Sequence, residues 1–550
     1  MIAAGSRRLN RFSARGGPAA NLGNGETPRA DRYHEAMPDP LRVAFVAAEC
    51  EPWAKTGGLG DVVDALARAL PLVPGATDGL VDVFLPRYRS VPVPEGASAT
   101  TTVRAPDPHA LAGAVDVSIV DVAANGYRLR LVDHPAAFDR DGFYGPPGSG
   151  DFADNAWRFG LLCRAALETL RADAARGERP VDLVHIHDWH ACPVALFRDR
   201  WYDDDPVVGR AAVVLTIHNL AYHGWTPRES LRDLGLTPGD GVIAADAVGV
   251  DLLWAGIERS ELVNTVSPGY ARESLGPELG FGLDATLRAK GDRYLGILNG
   301  LDTTVWDPAT DADLAATYSA GDLAGKATCR ADLLGRVGFD PTDDAPVLGM
   351  IGRLDPQKGF DLLADAAPRL LDTGARLIVL GSGDPAQVAG FRSLAARRPD
   401  RVALLERFDR VMARRIYAGA DFFLMPSRFE PSGQGQMIAM RYGTPPIVRR
   451  TGGLADSVVD ELTRPGRGTG FAFGPATAAA LTTTAEAAIA ARDRGGPAWD
   501  GLVARGMATD FDWATGSAPR YAAMYERAIG IRRRADAVPE RSSTSRPPRP

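Results

Sequence analysis

Cysteine and long apolar runs are scarce in this chain. Its 550 residues hold four cysteines, Cys50, Cys163, Cys192 and Cys329, scattered and without a CxxC pair. That excludes a disulfide scaffold and a zinc ribbon, and it favours a reducing compartment. No apolar run approaches the roughly 20 residues that span a bilayer. A basic excess is missing too: 62 Lys and Arg face 69 Asp and Glu, for a net charge of −7. Neither a nucleic acid nor a membrane surface suits that balance, because both need a basic footprint. Acidic residues are absent before Glu26, and periodicity is absent from the first forty residues. A disordered tail is expected for 1–40, with a transit peptide as the alternative. The polar, Pro-rich stretch 533–550 is also expected to be disordered.

What is present is an ordinary globular interior, 45% hydrophobic, in a chain long enough for two large domains. Apolar β-branched runs alternate with Ala- and Leu-rich helical patterns in two blocks. The first block offers strands at 42–49, 81–86, 115–122, 127–133, 181–188, 212–219 and 262–267. The second offers 347–352, 376–383, 401–408, 421–427 and 445–450. Runs that are apolar throughout suit parallel strands covered on both faces. The expected class is therefore α/β, with two doubly wound domains at 41–298 and 299–510 and a hinge near 296–308. Ligands in such folds bind beyond the carboxyl ends of the strands, so strand-end residues carry the functional interest.

Lys55-Thr56-Gly57-Gly58-Leu59-Gly60-Asp61 follows one strand and opens a helix. Paired glycines admit close backbone approach, and a helix entry favours an anion. The pattern is neither GxxxxGK[ST] nor GxGxxG, so neither an ATPase nor a nicotinamide enzyme is indicated. A plain structural turn is the competing reading. The loop echoes Arg450-Thr451-Gly452-Gly453-Leu454-Ala455-Asp456. His185, His187, Asp188 and His190 lie in HIHDWH, near the HxHxDH of binuclear metal hydrolases, although the Asp comes one place early. A metal site and strand-end packing both remain open there. His218 and Asn219 end another strand. Arg353 and Lys358, five apart after strand 347–352, suit a diphosphate. Ser432 and Gly433 enter a helix after strand 421–427, and Glu430 offers an acceptor for sugar hydroxyls.

KTGGLGDV, HIHDWH, TIHNLAYHG, NTVSPGYARE, ILNGLD, GRLDPQKG, PSRFEPSGQGQ and RRTGGLADSV stand in order along the chain. Together they resemble the motif set of bacterial glycogen synthases and plant starch synthases, over about residues 42–530. That family has the two-Rossmann GT-B fold, and its last helix crosses back to the first domain; 511–532 matches that helix. The resemblance implies a retaining glucosyltransferase that moves glucose from ADP-glucose to the non-reducing end of an α-1,4-glucan, without metal or cofactor. It implies catalytic roles for Glu430, Asp188, His218, Arg353 and Lys358. It implies substrate contacts for Lys55, Gly57, Gly58, Asn219, Asn299, Phe408, Ser432, Gly433, Gln434, Gly435 and, on the acceptor side, Tyr144. Three features depart from the family pattern: Ser432 replaces a Cys, Gln434-Gly435 replaces Leu-Thr or Leu-Gly, and Phe408 replaces a Tyr that stacks on the base. The alternatives are a UDP-glucose donor or a small acceptor and, in another class, a His/Asp metal hydrolase. A cytoplasmic location is expected, or a plastid if the N-terminal tail is a transit peptide. Cys50, leading into the Lys55 loop, is the expected site of any thiol reactivity.

Overall fold

The computed structural model describes residues 40–93, 97, 101–106, 113–237 and 249–536. Both tail expectations therefore fall largely outside the described residues. The described residues of the first block form eleven strands: β1 (Leu41–Val46), β2 (Thr77–Pro86), β3 (Thr101–Pro106), β4 (Ala114–Ala124), β5 (Tyr127–Asp133), β6 (Leu183–His187), β7 (Ala212–Ile217), β8 (Trp225–Pro227), β9 (Gly249–Asp251), β10 (Leu262–Thr265) and β11 (Tyr294–Gly296). Nine of them make one sheet in the order β11-β10-β7-β6-β1-β2-β5-β4-β3, while β8 and β9 pair separately. The second block supplies β12 (Val347–Ile351), β13 (Arg376–Leu380), β14 (Val402–Leu405), β15 (Phe422–Met425), β16 (Pro446–Arg449) and β17 (Phe471–Phe473). These form an all-parallel sheet in the order β14-β13-β12-β15-β16-β17, the doubly wound arrangement.

One expected parallel strand is not parallel. The run 115–122 lies within β4, which pairs antiparallel with both β3 and β5. Ala124 faces Tyr127, so Asn125-Gly126 is a two-residue hairpin turn with Gly126 at φ +88°. The positive φ falls on Gly126 alone, where the lack of a side chain makes it cheap. The Asp and Ser interruptions in VDVSIVDV mark a strand with one wetter face.

Chain reversal places two switch points. In the first sheet β1 has β2 on one side and β6 on the other, so the loops leaving β1 and β6 diverge. In the second, β12 lies between β13 and β15. Each is the crevice where a doubly wound sheet takes its ligand. The chain crosses between the sheets twice, side by side: Leu301 N donates to Phe511 O at 2.6 Å, and Gly300 leaves no room for a side chain against Trp513. The second crossing ends in the helix Ala518–Asp536, which buries Tyr521, Met524 and Tyr525 in the core of the first sheet. Arg533 and Arg534, expected in a disordered tail, belong to this helix.

Candidate active site

At the first switch point β1 leads to Glu49, 3% exposed, whose carboxylate accepts from Thr56 N (2.7 Å), Thr56 Oγ1 (2.6 Å) and Gly57 N (3.1 Å). Tyr144 donates its hydroxyl to the same carboxylate at 2.5 Å and stacks on His190, ring centroids 4.8 Å apart. Sequence reasoning passed over Glu49; its only signal is an acid at a strand end just before a glycine loop. With the loop so anchored, a Cβ on Gly57 or Gly58 would meet nothing within 4 Å, which leaves open space where a ligand can approach. Lys55 pairs with Asp61 at 2.5 Å and lines a cavity of about 500 Å³ shared with Trp53, Arg68, Trp306 and Gln434.

The echo loop is built the same way and used differently. Thr451 Oγ1 and Gly452 N donate to Glu273, on the first-sheet side, at 3.1 and 2.9 Å. Its donors thus join the two halves of the molecule.

From β6 and β7 come the histidines. His185 and His187 share one face of β6 but serve different neighbours. His185 bonds Tyr525 OH (2.7 Å) on the last helix and Thr216 Oγ1 (2.6 Å). His187 Nδ1 lies 3.1 Å from His218 Nε2. Among the described residues no group of three or more His, Cys, Asp or Glu is placed to hold a metal ion. Burial pushes the basicity of His190 and His218 down to about 3, so both are neutral near pH 7. Asp188, at φ +55°, accepts from His218 N at 2.7 Å and from the Asn219 backbone. Burial still dominates and raises its carboxyl to about 7. The Asn219 side chain accepts from Ala221 N at 3.0 Å, shaping the turn.

The second switch point brings β12 and β15 loops together. Gly359, at φ +75°, passes so near Pro426 O that a Cβ there would come within 2.2 Å of it. This approach delivers Lys358 Nζ to Glu430, 2.9 and 2.7 Å from its two oxygens, and Ser427 Oγ adds a donor at 3.0 Å. Arg353, paired with Asp355 at 2.5 Å, keeps a half-exposed guanidinium that Tyr222 also faces. Gly433 has φ +72°, and a Cβ there would press on Gln436 at 2.6 Å. Gln436 itself ties Ser432 O, Gly433 O and Ser457 together. Gln434 precedes, and Gly435 begins, the helix Gly435–Arg441. Ser432 Oγ and Asn299 Oδ1 are buried without a partner among the described residues. Phe408 stands apart from these contacts, 87% exposed on the loop after β14.

The thiol expectation is corrected. Cys50 is 0% exposed, and burial raises its thiol pKa far above the ordinary value. All four cysteines are free and buried.

Two doubly wound sheets that bring a glycine loop, neutral histidines and a Lys–Glu pair to their switch points are the architecture of a GT-B glycosyltransferase. Sequence comparison narrows the class. Residues 42–289 match the starch synthase catalytic domain family and 345–490 the group 1 glycosyl transferases. A glycogen synthase of Anaeromyxobacter dehalogenans is 44% identical over 492 residues, 88% of this chain and 99% of that one. One from Koribacter versatilis is 40% identical over 90% of this chain and 99% of its own. The chain belongs to the glycogen and starch synthase family, and it is a glucosyltransferase with a nucleotide-sugar donor and a glucan acceptor. Among solved structures, the catalytic domain of Arabidopsis thaliana starch synthase IV, bound to ADP and acarbose, is similar at TM-score 0.79 and 33% identity, covering 90% of this chain and all of that one. Sucrose-phosphate synthase from Thermosynechococcus elongatus (TM-score 0.54, 19% identity, 89% and 99% covered) shares the fold. Family membership displaces the hydrolase alternative. No helix among the described residues is long and apolar enough to cross a membrane.

Proposed function

We propose that the donor is ADP-glucose and that the acceptor is extended at its non-reducing 4-hydroxyl with retention of configuration. The carrying observation is the Lys358–Glu430 pair at the second switch point, a cation suited to a phosphate beside a carboxylate suited to a sugar. ADP in the similar starch synthase IV supports the choice of base. Residues 41–298 and 299–510 act as acceptor-side and donor-side domains.

The bond from glucose C1 to the diphosphate oxygen breaks, and a bond from the acceptor 4-oxygen to C1 forms on the same face. The acceptor's proton passes to the departing phosphate oxygen. Negative charge builds on the diphosphate as the bond opens, and Arg353, Lys358 and Lys55 stabilise it most at that moment. Ser432 Oγ and the backbone at Gly433–Gly435 add donors, with Gly57 and Gly58 giving the phosphates room. Glu430, Asp188 and His218 hold the oxocarbenium-like glucosyl, with Asn219 and Asn299 beside it. Phe408 stacks on the adenine, and Tyr144 borders the acceptor. A cytoplasmic location accords with four free cysteines and bacterial relatives. The test is glucose incorporation into glycogen from ADP-glucose against UDP-glucose: a UDP-glucose preference, or no transfer to glycogen, overturns the reading.

A further inference from the structure

From His218 to Trp225 the chain follows the wall of the sugar site. His218 N is held by Asp188, Tyr222 faces Arg353, and Gly224 lies flat on the Trp189 ring, where a Cβ would come within 2.2 Å. The next residue, Trp225, is 61% exposed, and Tyr222 is 54% exposed. Scattered exposed apolar side chains are normal, so exposure alone carries nothing. Trp225 differs in its support and its place. It opens β8, across from Asp251 on β9, and its indole rests against Gly249, where a Cβ would stand 3.0 Å from ring atoms Cε2 and Cζ2. His223 fastens the same hairpin through Asp251 at 2.5 Å. One side of the ring is thus braced on backbone, and the rest is exposed, one residue along the chain from the Gly224 that packs on Trp189.

A pyranose ring presents patches of C–H groups between its hydroxyls. A rigid aromatic face takes such a patch with little loss of side-chain freedom, while the hydroxyls stay in water. We propose that Trp225 is a stacking platform for an outer glucosyl unit of the acceptor chain, away from the unit that reacts. This rests on the glucan-acceptor reading above. A platform of this kind favours long acceptors over short ones and leaves the chemistry alone.

The competing role is packing: an indole that merely covers Gly249. Trp225→Ala and Trp225→Phe separate the two, assayed with ADP-glucose and with maltotriose, maltoheptaose or glycogen. Stacking of this strength corresponds to roughly three- to tenfold in affinity. Trp225→Ala should raise KM for maltoheptaose and glycogen by about that factor. KM for ADP-glucose and kcat with maltotriose should stay at parental values, and Trp225→Phe should recover most of the loss. Equal losses on short and long acceptors, or none, overturn the platform while transfer to glucan by the parent stands. A parent that elongates no glucan overturns both readings.

Discussion

Lys358 Nζ lies 2.9 and 2.7 Å from the two carboxylate oxygens of Glu430, whose side chain is 6% exposed against 27% for Lys358. The two ends of this pair are therefore not equivalent. Lys358→Ala strands a buried carboxylate with Ser427 as its remaining side-chain donor, which costs about 1–3 kcal/mol of stability. Glu430→Gln leaves an ammonium that water reaches, and its melting temperature should stay near the parent's. Both should lower kcat, Lys358→Ala by roughly 10- to 1,000-fold through lost transition-state stabilisation. Calorimetry and steady-state kinetics on the two variants check this; equal melting or parental turnover contradicts the pairing.

The His187–His218 contact sets a proton. His187 Nε2 and His218 Nδ1 are buried without partners among the described residues. If His187 donates from Nδ1, His218 carries its proton on Nδ1, ready for a sugar hydroxyl, and only a lone pair is left unpaired on His187. The opposite arrangement moves the unpaired N–H from His218 Nδ1 to His187 Nε2; the two are alike in the free protein and differ only when a sugar hydroxyl accepts from His218. His187→Asn, whose amide replaces the Nδ1–H donor, should keep most of kcat. His187→Leu should lose about tenfold or more. Nitrogen-15 shifts of the labelled His218 ring report the tautomer directly.

Asp188 makes activity pH-dependent in the neutral range. Its carboxyl, raised to about 7, takes up a proton as pH falls through that value and loses the charge that the proposed mechanism uses to steady the glucosyl. The expected kcat/KM profile falls on the acid side of about pH 7, and Asp188→Asn should flatten that limb while lowering its plateau. Stability has its own sign. The folded state binds the proton more tightly than the unfolded chain, so the ionised group costs stability as pH rises from about 4 to 7. Asp188→Asn should raise the melting temperature most at pH 8, less at pH 5 and little near pH 4.

Native protein should resist iodoacetamide at all four cysteines, since each is buried. Intact-mass spectra are expected to show no adduct without denaturant and four adducts with it. A single fast adduct at Cys50 would restore the exposed-loop reading of that residue.

Chelation should leave transfer intact. In the proposed mechanism Lys55, Arg353 and Lys358 supply the cationic charge for the diphosphate. Loss of activity in EDTA, restored by manganese or zinc, contradicts this assignment.

The amino-acid sequence alone determined the alternation of strands and helices, the two blocks, and the strand ends where Asp188, His218, Arg353 and Glu430 sit, because each is a local pattern of apolar period and breaker. Ordered motifs carried the family on the same local terms. Pairings between distant segments came only with the tertiary structure. Glu49 and Tyr144 are 95 residues apart, and Lys358 and Glu430 are 72 apart. No spacing rule joins such partners; the sheet orders β1-β2-β5 and β12-β15 do. The β4–β5 hairpin lay in the Asn-Gly turn yet was masked by apolar content, which does not report strand direction. Exposure was equally out of reach. Cys50 looks accessible beside its loop and is buried beneath it, because burial depends on what the rest of the chain lays over a residue.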